Sequence, residues 1–110
     1  MDKKLKYSKL VKKFLLSLSG NVYEDQPGLK NIFMVSSDGC HYYLTVVGWH
    51  NSRYTDFIAY HIEVLENGLI AIRKNNSDNF LSEKLADLGI QKSDIIFEET
   101  EGDQKQALAA

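Results

Sequence analysis

The stretch that decides the fold is residues 31–75, NIFMVSSDGCHYYLTVVGWHNSRYTDFIAYHIEVLENGLIAIRKN. It is rich in β-branched and aromatic residues, which favour strands. Turn-forming groups interrupt it at Asp38-Gly39, at His50-Asn51-Ser52 and at Glu66-Asn67-Gly68. Three interruptions leave four apolar runs, and the sequence therefore predicts four strands in an antiparallel meander.

The length of each turn is tested by the side chains that it places opposite each other. In the last turn, a three-residue loop sets Ile72 opposite Ile62, whereas a two-residue loop would set it opposite Glu63. The apolar pairing favours the three-residue loop, with Gly68 in a left-handed conformation.

The same test on the middle turn, residues 50–52, favours a three-residue loop that pairs Leu44 with Ile58. One face of the sheet then collects apolar side chains that a helix should cover: Tyr42, Leu44, Ile58, Tyr60, Ile62, Val64, Ile70 and Ile72. In this register Tyr42 pairs with Tyr60. Gly48 interrupts the second strand as a candidate β-bulge, which leaves open the face on which Trp49 lies.

Two helices flank the strands. Apolar residues recur at spacings of three and four through residues 3–19, where Asp2 is a candidate N-cap and Gly20 a candidate stop. After the meander, Ser77 or Asp78 can cap a second helix that ends at Gly89. The predicted fold class is α+β in two layers: an N-terminal helix, a four-stranded antiparallel β-meander and a C-terminal helix. We expect residues 95–97 to pack back onto this domain.

Composition limits the domain organisation and the possible functions. With 110 residues, 44% of them hydrophobic, the chain can form one modest core, which we assign to a single domain over residues 1–97. Residues 98–110 carry four acids and one Lys, and we interpret them as an acidic, disordered tail. The net charge of −2 disfavours nucleic-acid binding by the whole surface. One cysteine, Cys40, and no long apolar run indicate a cytoplasmic protein without a disulfide or a membrane segment.

No motif for catalysis, cofactor binding or metal binding is present in the sequence. The histidines His41, His50 and His61 lack the spacing of metal ligands, and no phosphate-binding loop or nucleophile motif occurs. His41 and His61 fall on opposite or diagonal positions of neighbouring strands, where an imidazole commonly completes a hydrogen bond. We therefore expect no catalytic residue, no cofactor and no metal.

Two groups of residues are candidates for partner binding. The first helix carries six lysines, three of which, Lys6, Lys9 and Lys13, share one side of it. Cations near a helix N-terminus oppose its dipole, so helix stability alone does not account for them. They form either a solvated face or a surface for phosphates or an acidic partner. The second group, Tyr43, Trp49 and Arg53, belongs to the strands, around the side that the helices are expected to leave uncovered, although the face of Trp49 itself stays open.

From the second strand onward the order and spacing of several short segments resemble the XisI family of DNA-element excision control factors. These segments are His41-Tyr42, Val47-Gly48-Trp49, His61-Ile62-Glu63-Val64, Gly68 followed by Ile70-Ala71-Ile72, Leu88-Gly89-Ile90 and Lys92-Ser93-Asp94-Ile95-Ile96. Ala71 stands where the family often has Trp, and Gln91 where it often has Pro. After Phe97 the usual His-Pro-Pro segment is replaced by the acidic residues.

The resemblance implies a function that composition and spacing do not. A XisI-like protein is expected to act beside XisH, a protein with a nuclease-like fold, during site-specific excision of an element that interrupts a nitrogen-fixation gene. The chain would then be a non-enzymatic control factor that binds a XisH-like partner or the excision complex, and a homo-oligomer is compatible with this role. The alternative is direct binding of nucleic acid by the basic N-terminal helix.

Overall fold

The computed structural model describes residues 2–20, 25–76 and 81–96, and these form an α+β fold, as predicted. The elements are α1 (Lys3–Ser17), β1 (Leu29–Val35), β2 (His41–His50), β3 (Arg53–Val64), β4 (Ile70–Asn75), α2 (Leu81–Asp87), a 3₁₀ turn (Lys92–Asp94) and β5 (Ile95–Ile96). The predicted helix caps at Ser77 or Asp78 and the predicted tail at 98–110 lie outside the described residues.

The sheet contains five strands in the order β1-β2-β3-β4-β5 rather than the four that the sequence predicts. The first four strands form the expected antiparallel meander. The fifth strand pairs in parallel with β4, with Ile95 beside Ile70. A strand of two residues is too short to produce an alternating pattern, so the sequence indicated only that this segment packs back onto the domain.

The predicted register of the last hairpin is confirmed. Ile72 pairs with Ile62 and Ile70 pairs with Val64. Gly68 has a φ of 89° and is thus left-handed. A Cβ at this position would lie 2.8 Å from the Lys3 side chain, which would have to move. The turn therefore requires glycine chiefly because of its positive φ.

The predicted register of the middle hairpin is wrong. Asn51 and Ser52 both have positive φ angles, 53° and 64°, and form a two-residue turn of the type that suits the twist of antiparallel strands. A register shift between Leu44 and Thr45 leaves Ala59 as an extra residue in β3. Leu44 therefore pairs with Tyr60 instead of Ile58.

The shorter turn and the bulge together move the pairing of β2 with β3 by two positions. Because side chains alternate between the two faces, a shift by two keeps most residues on the face that was predicted. Tyr42 pairs with Ile62, and seven of the eight expected core residues are buried: Tyr42, Leu44, Tyr60, Ile62, Val64, Ile70 and Ile72. The exception is Ile58. It lies before the bulge, opposite Thr45, and therefore faces the other side of the sheet.

The predicted bulge at Gly48 is absent, and the glycine has a different role. Gly48 pairs with Leu29 in the β1–β2 ladder and has a φ of 132°. A Cβ at Gly48 would lie 1.9 Å from the carbonyl oxygen of Gly28. The residue is thus glycine because the two backbones approach too closely for a side chain.

Both helices cover one face of the sheet, which we call the helix-covered face, and the opposite face is called the open face. Asp2 caps α1 as predicted, since its Oδ1 accepts a hydrogen bond of 3.0 Å from the Lys4 amide. The helix ends at Ser17, before the predicted stop at Gly20. Buried residues of both helices join the sheet in one hydrophobic core: Tyr7, Val11, Leu15, Leu81 and Leu85. The expected two-layer arrangement follows.

The two ends of the domain are joined by a buried polar contact. The Tyr7 hydroxyl donates a 2.6 Å hydrogen bond to Asp94, and the Lys3 ammonium lies 3.3 Å from the same carboxylate. The hydrogen bond from Tyr7 and the nearby Lys3 charge lower the pKa of Asp94 below its usual value. This contact fixes α1 against the 3₁₀ turn that precedes β5.

Candidate partner-binding surfaces

The outer side of α1 is a mixed basic and apolar surface, which we call the lysine face: Leu5, Lys6, Lys9, Lys12, Lys13 and Leu16. All six side chains are exposed, Leu5 to 50% and Leu16 to 45%. Helical spacing explains this arrangement, because Tyr7, Val11 and Leu15 occupy the buried side of the helix. The sequence predicted the lysines of this surface, but it did not single out the two leucines.

The other two lysines of α1 are engaged within the protein. Lys3 contacts Asp94, and the Lys4 ammonium lies 2.6 Å from the carboxylate of Glu66. The hydrogen bond to Glu66 raises the pKa of Lys4. Across residues 2–20, 25–76 and 81–96, no carboxylate forms an ion pair with Lys6 or with the lysines that follow it on this helix. The cations of the lysine face are therefore available to an external group.

A shallow apolar hollow lies beside these cations. It measures about 280 Å³ and is lined by Leu5, Lys6, Lys9 and Leu10. Two leucines form its apolar part, and the aliphatic stems of the two lysines flank them. Such a hollow accepts an apolar side chain whose neighbours carry negative charge.

The open face of the sheet is the second candidate surface. Strand alternation and the observed register place on it Ile32, Met34, Tyr43, Thr45, Val47, Trp49, Tyr54 and Ile58. Ile32, Met34, Trp49 and Tyr54 are all classed as exposed, with Trp49 the most accessible at 62%. Trp49 and Tyr54 are directly opposite each other and make an edge-to-face ring contact at 5.5 Å. This settles the face on which Trp49 lies.

The candidate residues predicted from the sequence belong to two separate surfaces. Lys6, Lys9 and Lys13 lie on α1, which covers one side of the sheet, whereas Tyr43 and Trp49 lie on the open face at the other side. Arg53 is exposed, but it pairs with His50 one position away from Trp49 and so points to the side of the helices. The sequence analysis did not select Ile32 and Met34, although they alternate along β1.

A polar cluster borders the open face near the other end of β2 and β3. Nδ1 of His41 and Nε2 of His61 are 2.9 Å apart, as expected for a hydrogen-bonded pair in diagonal positions. Glu63 lies 3.5 Å from the other ring nitrogen of His41 and accepts a 2.6 Å hydrogen bond from Arg73. The Tyr43 ring stacks on His61 with centroids 4.3 Å apart.

This environment disfavours the charged form of His61. Partial burial is the main reason that its pKa is lowered, and the nearby positive charges of His41 and Arg73 act in the same direction. His61 therefore favours its neutral form, in which it can still hydrogen-bond to His41. Among the described residues no group of three or more His, Cys, Asp or Glu side chains is placed to hold a metal ion.

None of the described helices is long and apolar enough to span a membrane.

The fold and its surfaces define a small α+β protein with two helices packed on one face of a mixed sheet. The family model described as XisI protein matches residues 1–108 of the chain. The chain therefore belongs to the XisI family. The match continues beyond residue 97 and includes most of the acidic segment. No curated protein matches the chain at a significant level.

Two crystal structures from Anabaena variabilis ATCC 29413 share this fold. A XisI-like protein solved at 1.30 Å is 25% identical, with a TM-score of 0.72 over 87% of this chain and 86% of the other. The fdxN element excision controlling factor XisI is 16% identical, with a TM-score of 0.63 over 86% of this chain and 90% of the other. The second comparison shows the fold alone, because its sequence identity is low.

Proposed function

We propose that this chain is a non-enzymatic control factor for site-specific excision of a DNA element and that it acts by binding a XisH-like protein. Membership of the XisI family supports the general role. The observation that carries the binding mode is the exposure of Leu5 and Leu16 among the cations of α1. Two half-exposed leucines in a basic surface suit an acidic, amphipathic segment of a protein partner.

Nucleic acid is the second candidate ligand, because Lys6, Lys9, Lys12 and Lys13 are exposed on one helix. A phosphate backbone would interact with these cations, but it offers no apolar group to the leucines between them. The chain also carries a net charge of −2, so only this local surface would attract DNA. The leucines thus favour the protein partner over DNA.

The experiment compares three variants in binding assays with a co-encoded XisH-like protein and with duplex DNA. Reversing Lys6, Lys9 and Lys13 to Glu turns three of the four cations of the lysine face into anions, so the face repels an anionic ligand. The double change Leu5→Ala and Leu16→Ala removes only the apolar part. A control chain carries Lys92→Glu, which reverses an exposed lysine outside α1 and outside the open face.

We expect the lysine and leucine variants both to weaken binding of the protein partner, by at least tenfold each, while the control binds normally. Binding to DNA should be weak from the start. The alternative function replaces the proposed one if the wild-type chain binds DNA without a partner and its DNA affinity falls steeply between low and physiological salt. In that case the leucine variant should bind DNA as well as the wild type does. If neither ligand binds the wild-type chain, both are rejected.

A further inference from the structure

The open face carries more large apolar and aromatic side chains than a sheet face that remains in water usually does. A sheet that faces water on one side normally carries polar residues there. On β1 and β2, however, five of the eight positions on this side are apolar or aromatic, and the other three are Lys30, His41 and Thr45. The five are Ile32, Met34, Tyr43, Val47 and Trp49. In the part of the chain that the structure describes, both helices pack on the opposite side. A second protein surface is therefore expected to cover it.

The centre of this face is already buried within the single chain. Thr45 is only 6% exposed, and it lies between Ile32 on β1 and Ile58 on β3. Its hydroxyl is buried and has no hydrogen-bond partner among the described residues. Met34, Trp49 and Tyr54 are exposed farther out on the same face, which also carries Lys30 and Asp56 beside Val47. Thr45 therefore has little contact with water even in a single chain, and removing water from the exposed apolar side chains of this face is favourable.

Charge distinguishes the possible occupants of the face. Its charged side chains are Lys30, Asp56, Glu63, Arg73 and Lys74, three cations and two carboxylates, and Glu63 is paired with Arg73. A nearly neutral surface can pack against a copy of itself without repulsion. The lysine face cannot, since its four cations would oppose four more. Because its positive and negative charges nearly cancel, the open face is a poor binding site for DNA or for a strongly acidic protein.

The size of the face is adequate for a dimer. The ten residues of β2 extend about 33 Å, and four long strands about 4.8 Å apart span roughly 14–19 Å. The projected area is on the order of 500 Å² per copy, and side-chain relief makes the accessible area larger. This approaches the ~800 Å² per partner that is typical of stable interfaces.

We propose that the open face is a homodimer interface, in which two copies pack their sheets face to face about a two-fold axis. The interface is isologous, so each exposed group meets the same surface of the second copy. Trp49, the most exposed of the large apolar side chains, is the expected anchor. The lysine faces remain free on the two outer sides, so dimerisation does not depend on the proposed binding of a XisH-like protein.

The test measures association of the full chain alone by sedimentation equilibrium, together with the fluorescence of Trp49. This is the one tryptophan in the sequence, so its emission reports directly on the proposed interface. We expect a concentration-dependent dimer whose tryptophan emission shifts to longer wavelength on dilution. Met34→Lys and Trp49→Ala should each raise the dimer dissociation constant by at least tenfold. Both side chains are exposed in the monomer, so circular dichroism should show an unchanged fold.

Leu16→Lys is the matched control, since Leu16 and Met34 are both 45% exposed and receive the same new charge. This control should dimerise normally, as should the chain with Lys6, Lys9 and Lys13 reversed to Glu. A chain that stays monomeric at every concentration would overturn the proposal. So would a dimer that survives both Met34→Lys and Trp49→Ala. If the chain alone is monomeric and Trp49→Ala instead abolishes binding of the XisH-like protein, that partner and not a second copy covers the face.

Discussion

Leu15 and Leu16 provide a direct test of how α1 is oriented on the sheet. They are neighbours in the same helix, but Leu15 is 0% exposed and Leu16 is 45% exposed. Replacing either with Ala changes the helix propensity by the same small amount. The difference between the two variants in the free energy of unfolding therefore measures burial alone.

The expected magnitudes follow from these exposures. A fully buried Leu→Ala change costs about 2.7–5 kcal/mol, since it loses the transfer free energy of the removed groups and leaves a cavity in the core. Leu16 has about half of its surface in water and leaves no enclosed cavity. We expect Leu16→Ala to cost at most about 1 kcal/mol, partly offset by the higher helix propensity of Ala. The variants should thus differ by roughly 2–5 kcal/mol.

Urea denaturation monitored by circular dichroism gives both free energies of unfolding. For a domain of this size, about 1 kcal/mol corresponds to a shift of about 4–8 °C in Tm, so thermal scans should separate the variants clearly. All measurements are made at one protein concentration, because self-association would stabilise the folded state. Equal destabilisation by the two changes, or a larger effect at Leu16, would refute the orientation of α1 described above.

Three further outcomes are expected. Ile62→Ala should destabilise the fold by about 2–5 kcal/mol and Thr55→Ala by much less in urea denaturation, because Ile62 is fully buried; equal effects would contradict the observed register. The pKa of His61 is lower in the folded chain than its value near 6.5 in the unfolded chain, so the folded state favours the neutral imidazole. Its contribution to the free energy of unfolding is therefore complete above pH 6.5 and is lost as the pH falls through the folded pKa. As the pH falls below 6.5, the Tm of His61→Gln should therefore decline less steeply than the Tm of the wild type. Parallel curves of Tm against pH would show that His61 does not cause the pH dependence. Deletion of residues 98–110 should leave Tm nearly unchanged, since this acidic segment offers little apolar surface to bury, and a large fall in Tm would show that it packs on the domain.

The sequence was most informative where local pattern and turn chemistry agreed. The last hairpin was predicted with its register because only one loop length places Ile72 opposite Ile62. The N-cap at Asp2 was predicted because a short acidic side chain precedes a helical apolar stripe. Both features depend on residues that are close along the chain.

The middle hairpin shows why such reasoning fails elsewhere. Matching apolar residues across the turn assumes an unbroken ladder, whereas Ala59 is bulged out of β3. The bulge has no marker in the sequence, since Ala59 is neither glycine nor proline. It moved Ile58 to the open face, so the apolar character of that face was underestimated. The lysines could be selected by charge, but the exposure of Leu5 and Leu16 follows only from how α1 sits on the sheet.

The sequential order of the strands governs how fast the chain reaches its fold. Each strand of the meander pairs with the next one along the chain, and β2 and β3 are joined by only Asn51 and Ser52. Such local pairing closes short loops and favours an early hairpin, on the microsecond scale of isolated hairpins. The contact between Tyr7 and Asp94 joins residues 87 apart in sequence, so it closes a long loop at a larger cost in entropy. We therefore expect it to form late in folding. Substitutions in the turn should therefore slow folding, whereas Tyr7→Phe should mainly accelerate unfolding.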